Sequence, residues 1–147
     1  MGVESRQDVT NVAFFLDGSE KYKDNETIAQ DAGRSGDMLA KTVMARDPST
    51  KKWVPFTDET AADGTQFPRG ILKKDIAEAD IQAGDVTGVP ITIIGVIVDV
   101  QQLVIENSKT LDTVINSPAG INLTVEDKLR EVGLVVESTI DIDEFEN

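Results

Sequence analysis

The chain has no cysteine and no histidine. Without cysteine there is no disulfide framework, no thiol nucleophile and no zinc–thiolate centre. Without histidine it lacks the commonest general base, the commonest metal ligand and the usual switch near neutral pH. An enzyme built on this chain would have to work with carboxylates, Lys, Tyr, Ser or Thr. Large rings are scarce: one Trp, one Tyr and five Phe. Long hydrophobic runs are missing too. The longest, over residues 89–98, falls far short of the roughly 20 residues that a spanning helix needs. The start, MGVESRQDVTNV, has neither the basic beginning nor the apolar stretch of a secretory signal. The expectation is a protein made in a reducing cytoplasm, with no membrane partner. Asn25 and Asn122 match the glycosylation pattern only by chance in that setting.

What the chain does have is acid. Its 27 Asp and Glu stand against 14 Lys and Arg, a net charge of −13. Such a surface repels phosphates and anionic lipid, so direct nucleic acid contact is not expected. At 147 residues the chain makes one domain with room for an arm or a tail. A domain of that size buries a core without covalent staples.

Residues 1–36 differ from the rest. They are polar and charged, with one apolar island at Val12, Ala13, Phe14, Phe15 and Leu16, followed by the turn signal Asp17-Gly18. Residues 21–36, KYKDNETIAQDAGRSG, carry few large apolar groups and no strong period, and could not fold alone. Two readings stand side by side. One is a frayed terminus. The other is an extended arm that orders on a partner, anchored by Val12, Phe14, Phe15 and Leu16.

From residue 38 the density of β-branched side chains rises. Residues 42–46 and 52–57 flank Asp47-Pro48-Ser49-Thr50, whose Asp and Pro suit a type I turn and so predict a hairpin. Pro55 marks the second strand as an edge or a bulge. Trp53 and Phe56 are core by their size, or else contacts with a subunit or partner. A polar loop over 58–67 leads through Pro68-Arg69-Gly70 into Ile71-Leu72, a strand restart. A second polar stretch, 75–88, reads as an insertion. In the apolar run that follows, Ile91 and Ile93 hold odd positions, whereas Val96, Val98 and Val100 hold even ones. That phase shift predicts a β-bulge at Gly95. Two short helices are predicted next. The first is capped by Asn107-Ser108, has Leu111, Val114 and Ile115 on one face and stops at Pro118-Ala119-Gly120. The second is capped by Thr124 with Asp127 in the capping-box position, has Val125, Leu129 and Val132 on one face and ends at Gly133. Strands are predicted at Leu134-Val135-Val136 and at Thr139-Ile140, before an acidic tail over 143–147.

Motifs for chemistry are lacking. There is no P-loop, no dinucleotide glycine fingerprint and no nucleophile elbow. Gly33-Arg34-Ser35-Gly36 has no strand before it and does not qualify as a phosphate loop. No pair of carboxylates sits in an apolar stretch that would raise a pKa. Asp141, Asp143 and Glu144 alternate like calcium ligands but lack the glycine-centred loop. No catalytic residue, metal site or cofactor is assigned.

Residues 38–76, MLAKTVMARDPSTKKWVPFTDETAADGTQFPRGILKKDI, read as strand, tight turn, strand, polar loop and Gly-Ile-Leu strand. This order resembles the tailed-phage head decoration proteins of the lambda type. The stretches that carry the likeness are MLAKTVMARDPSTKKWVPF, DGTQFPRGIL, TLDTVIN and LTVEDKLREVG, leading into LVVESTIDI. The chain departs from the family in its length, its 75–88 stretch and its acidic tail. The resemblance implies a mostly β fold with two short helices (α+β), a compact domain over 37–142 behind an arm over 1–36, and a homotrimer. It implies a structural virion protein, not an enzyme, made in the host bacterial cytoplasm. Such a protein binds the outer surface of the expanded capsid head at three-fold and quasi-three-fold sites. There it cements neighbouring major capsid protein subunits against packaged DNA. Candidate trimer or capsid contacts are Trp53, Pro55, Phe56 and Phe67. The alternative is a virion-surface β-domain binding module, an adhesin or carbohydrate binder, which would need exposed rings from among Trp53, Tyr22 and Phe67.

Overall fold

The computed structural model describes residues 13–115 and 122–137. Val12 and the rest of residues 1–12, the expected stop at Pro118-Ala119-Gly120, the strand at Thr139-Ile140 and the acidic tail lie outside the described residues.

The hairpin forms where its turn residues dictate. β2 (Val43–Arg46) and β3 (Trp53–Pro55) pair antiparallel, with Arg46 opposite Trp53 and Met44 opposite Pro55. The Asp47 carboxylate accepts the Ser49 N–H at 2.8 Å, and the Lys51 N–H reaches the Asp47 carbonyl at 2.8 Å. The loop is therefore one residue wider than a four-residue turn, and Lys51 takes up the left-handed φ of 65° that closes it. Pro55 ends β3, beyond the single register pair, Ile28 with Trp53, that joins β3 to β1 (Lys21–Ile28). A missing N–H costs no ladder bond there.

β4 (Pro68–Leu72) lies on the other side of β2, and β5 (Val86–Ile97) lies next to β4. β5 then pairs antiparallel with β1, so β1, β3, β2, β4 and β5 close a five-strand barrel. The fold is mostly β, with two helices among the described residues: α1 (Glu78–Ala83) and α2 (Val125–Val132). A two-residue ribbon of β6 (Val114–Ile115) and β7 (Leu123–Thr124) precedes α2. β8 (Leu134–Val136) follows it and joins the far end of β5 in parallel.

Alternation along β2 feeds two apolar clusters. Val43 and Ala45 pack with Phe56, Ile71, Val125 and Leu129, which seats α2. Met44 packs with Trp53, Ile28, Ile91 and Ile81, which seats α1. α2 starts as expected: Thr124 Oγ1 accepts the Asp127 N–H at 3.2 Å, and Asp127 returns the favour to the Thr124 N–H at 3.0 Å. Gly133, at φ 102°, ends it in the left-handed conformation.

Four expectations are corrected. First, residues 13–36 are not an arm. Phe14 belongs to the core at 8% exposure, and β1 is a wall of the barrel. The boundary expected near residue 36 does not exist, because β1 takes its hydrogen bonds from the backbone of β5 rather than from its own apolar face. Second, residues 107–115 do not form a helix. Thr113 Oγ1 accepts the Thr110 N–H at 3.0 Å, and Thr110 Oγ1 accepts the Asp112 N–H at 3.3 Å. These side chains satisfy the backbone in turns instead, and the chain goes on into β6. Third, the 75–88 stretch contains α1, which escapes notice because only Ile81 is buried along it. Fourth, β5 is irregular at Ile93, and again between Val86 and Val89, rather than at Gly95. Lys21 pairs with Ile94 but Tyr22 with Thr92, which leaves Ile93 as the extra residue. Parity does not flip afterwards, since Ile97 is buried and Val96 only half-buried.

Gly95 has a different reason to be glycine. A Cβ there would lie 2.8 Å from two carbons of the Phe15 ring, closer than such contacts occur. Phe15 bridges to Ile97, and the Leu16 N–H donates to the Val96 carbonyl at 2.8 Å. The ring is thus pressed onto the strand. Gly95→Ala is expected to cost about 1–3 kcal/mol. Adding Phe15→Ala should make the alanine nearly harmless, so a double-mutant cycle by chemical denaturation should show strong coupling. Additive costs would mean that the ring is not the obstacle.

Candidate functional site

The contact candidates separate by burial. Trp53 is 3% exposed and donates its Nε1–H to Glu26 Oε1 at 3.0 Å, and Phe56 is fully covered. Phe56 has no surface for a partner, and Trp53 keeps only a sliver at the floor of a groove, so both are core residues rather than trimer or capsid contacts. Pro55 and Phe67 are half-buried, and Lys128 Nζ lies 4.6 Å from the centre of the Phe67 ring. Of the arm anchors, Phe14 packs inside and Phe15 is half-buried, while Leu16 keeps 49% of its surface exposed. Tyr22 is the exposed ring of the three that a carbohydrate binder would need, and Lys73 Nζ sits 4.4 Å from its centre.

The structure brings together residues that no local pattern signals. One groove of about 370 Å³ is lined by Arg46, Pro48, Lys51, Gly64, Phe67 and Arg69. A second, of about 230 Å³, is lined by Lys23, Arg46, Trp53, Arg69, Ile93, Ile94 and Val132. The two share Arg46 and Arg69, and no acid among the described residues lines either. They form one basic, partly apolar surface across β1, β2, β4 and β5.

Outside the grooves, Arg34, Lys52, Lys73, Lys109, Lys128 and Arg130 pair with acids, while Lys21, Lys41 and Lys74 form no ion pair with a described residue. Arg34 grips Glu106 with two bonds, of 2.7 Å and 2.5 Å, and donates to the Gly36 and Asp37 carbonyls at 3.1 Å. The Glu106 carboxylate raises the Arg34 pKa further above its usual value. Gly33-Arg34-Ser35-Gly36 is thus a clasp onto the 106 region. Lys73 pairs with Glu20 at 2.5 Å, and the buried Thr92 hydroxyl donates to the same carboxylate. Lys52 pairs with Asp85 at 2.6 Å, and Lys109 with Glu59 at 2.8 Å.

Every carboxylate with a resolved departure from its ordinary pKa is held low. Asp58 and Asp63 accept from Thr60 and Thr65, Glu59 from Lys109, Asp85 from Lys52 and the Gln30 N–H, and Asp127 from Thr124. A folded pKa below the unfolded one contributes stability that is complete above the unfolded value, near 4. That contribution is lost as pH falls through the folded pKa. Asp127→Ala should therefore lower the melting temperature more at pH 7 than in acid, where the carboxylate becomes protonated. A penalty undiminished in acid would show that the capping box acts without its charge. No group of three or more acids among the described residues is placed to hold a metal ion, and Asp141, Asp143 and Glu144 lie outside those residues. No helix among the described residues is long and apolar enough to cross a membrane.

Comparison of the chain with protein-family models, with curated proteins and with solved structures finds no match.

Proposed function

We propose that this chain is a structural virion protein of the head decoration kind. It binds the outer face of an expanded tailed-phage capsid as a homotrimer and cements neighbouring major capsid subunits. One observation carries this reading. Three of the stretches that resemble the decoration family become the β2–β3 hairpin, β4 and the α2–β8 unit, all packed on one core, while the described part of the fourth, TLDTVIN, forms turns and β6 instead of the expected helix. The three are one connected wall rather than scattered likenesses. Surface features of a binding protein support it: exposed Leu16, Ile94 and Val135, and a groove whose cations form no ion pair with a described residue.

In this reading the arm shortens to residues 1–12, which lead directly into the Phe14–Leu16 clasp on β5. Strand addition to a capsid sheet would supply backbone hydrogen bonds. Ordering the segment costs about 1–2 kcal/mol per residue, so one arm binds weakly. Three arms on one trimer bind tightly, because the second and third contacts are intramolecular.

The test is electron microscopy of expanded shells mixed with the protein. Three copies are expected around each local three-fold axis. One or two copies per site, or none, would overturn the proposal. With no His and no Cys, occupancy is expected to vary little between about pH 6.5 and 8.

A further inference from the structure

Lys23, Arg46, Lys51 and Arg69 face the joined grooves, and none of them forms an ion pair with a described residue. Lys21, Lys41 and Lys74 form none either, but they line neither groove; what is unexpected, in a chain with nearly twice as many acids as bases, is that four such cations share one surface. Acids are abundant enough to neutralise every cation, as they do for Arg34, Lys52, Lys73 and Lys109. Instead, like charges are gathered on one surface, where they repel one another. Arg46 is held there by its own backbone neighbour: its Nε–H donates to the Lys51 carbonyl at 3.2 Å, and its two terminal nitrogens remain for a ligand.

The lining selects the ligand. Two guanidinium groups favour carboxylates or phosphates held by paired hydrogen bonds. Phe67, Ile93, Ile94 and Val132 add apolar surface between the charges. A net charge of −13 opposes a polyanion that extends beyond the groove. The fitting ligand is a short peptide in which acids alternate with large apolar residues. The chain contains one: Asp141, Ile142, Asp143, Glu144, Phe145 and Glu146.

We propose that residues 141–146 dock in the Lys23–Arg46–Lys51–Arg69 groove of their own chain. The proposal does not depend on the decoration reading. Reach permits it. Gly133 abuts Ile94, a groove residue, and Leu134 and Val136 then run beside Gly95 and Ile97. β8 thus carries the chain about 10 Å past the groove mouth. The link from residue 137 to residue 141 can span at most about 14 Å, enough to bring the start of the segment back to the groove mouth. Short tethering also gives an effective concentration in the millimolar range, which favours the chain's own segment over that of another copy.

The experiment is zero-length carbodiimide cross-linking of the full chain, in an equal mixture of unlabelled and heavy-nitrogen-labelled protein, read by mass spectrometry. Lys21 and Lys74 are the controls, being lysines that line neither groove and form no ion pair with a described residue. The expected result is amide links from Lys23 or Lys51 to the carboxylates of residues 141–146, all within one isotopic species. They should fall several-fold at about 0.5 M salt, where screening shortens to a few ångströms. They should fall similarly in the double variant Arg46→Ala with Arg69→Ala. Links no more frequent than those of Lys21 and Lys74, or links insensitive to salt, would overturn the proposal. Links joining heavy to light chains would also overturn it, by making a second copy the occupant.

Discussion

Deletion of residues 1–36 is expected to abolish the cooperative unfolding of the domain. β1 pairs along β5 from Lys21 opposite Ile94 to Ile28 opposite Val86, and it touches β3 at Trp53. Removing it opens the barrel along two strands at once. Backbone groups of β5 lose their partners, and each unsatisfied buried group costs about 1–3 kcal/mol. The second core cluster loses Ile28, which is fully buried, and the first loses Phe14. Against a total stability of about 5–15 kcal/mol, these losses leave no folded state. Deletion of residues 1–12 alone should preserve the transition. Thermal melts by circular dichroism separate the two truncations. A cooperative melt in the longer truncation, near the full-length temperature, would mean that β1 is dispensable and that the barrel is not closed.

Phe56→Ala is expected to be the most damaging single side-chain truncation. Phe56 is fully buried, packs with the α2 side of the core and anchors the end of the hairpin, its N–H donating to the Val43 carbonyl at 2.9 Å. Large-to-small changes of this kind cost about 3–5 kcal/mol. For a domain of this size that lowers the melting temperature by on the order of 10 °C. The same change would barely move stability if Phe56 were a docking residue, as its size and place in the sequence also suggested. Differential scanning calorimetry decides: an unchanged melt with altered partner binding would return Phe56 to the surface.

The sequence announces elements whose cause is local. Asp47 and Pro48 mark the hairpin, and Thr124 with Asp127 the start of α2. Each is a side chain acting on backbone within a few residues. β1 is invisible for the opposite reason. Its first five residues are exposed, so its composition is that of solvent, and its strand character comes from β5 some sixty residues later. The false helix at Leu111, Val114 and Ile115 has helical spacing, but Thr110 and Thr113 bond the backbone into turns first. The basic groove has no local signature either. Its four cations come from β1, β2, the hairpin loop and β4, and only barrel closure makes them neighbours.

Closure of the barrel by β1 against β5 also sets an order of events during synthesis. The first strand to leave the ribosome is among the last to find its partner, because β5 ends only at Ile97. Until then β1 presents an unpaired edge to solvent, the kind of edge on which nascent chains pair wrongly. Its sequence, KYKDNETI, suits a strand that must wait. Charge keeps it soluble and discourages premature pairing, as gatekeeper residues do, and the one large aliphatic group, Ile28, comes last. The polarity that makes β1 resemble an arm is, on this account, what lets the N-terminal wall of the barrel stay unassembled until the chain that completes it has been made.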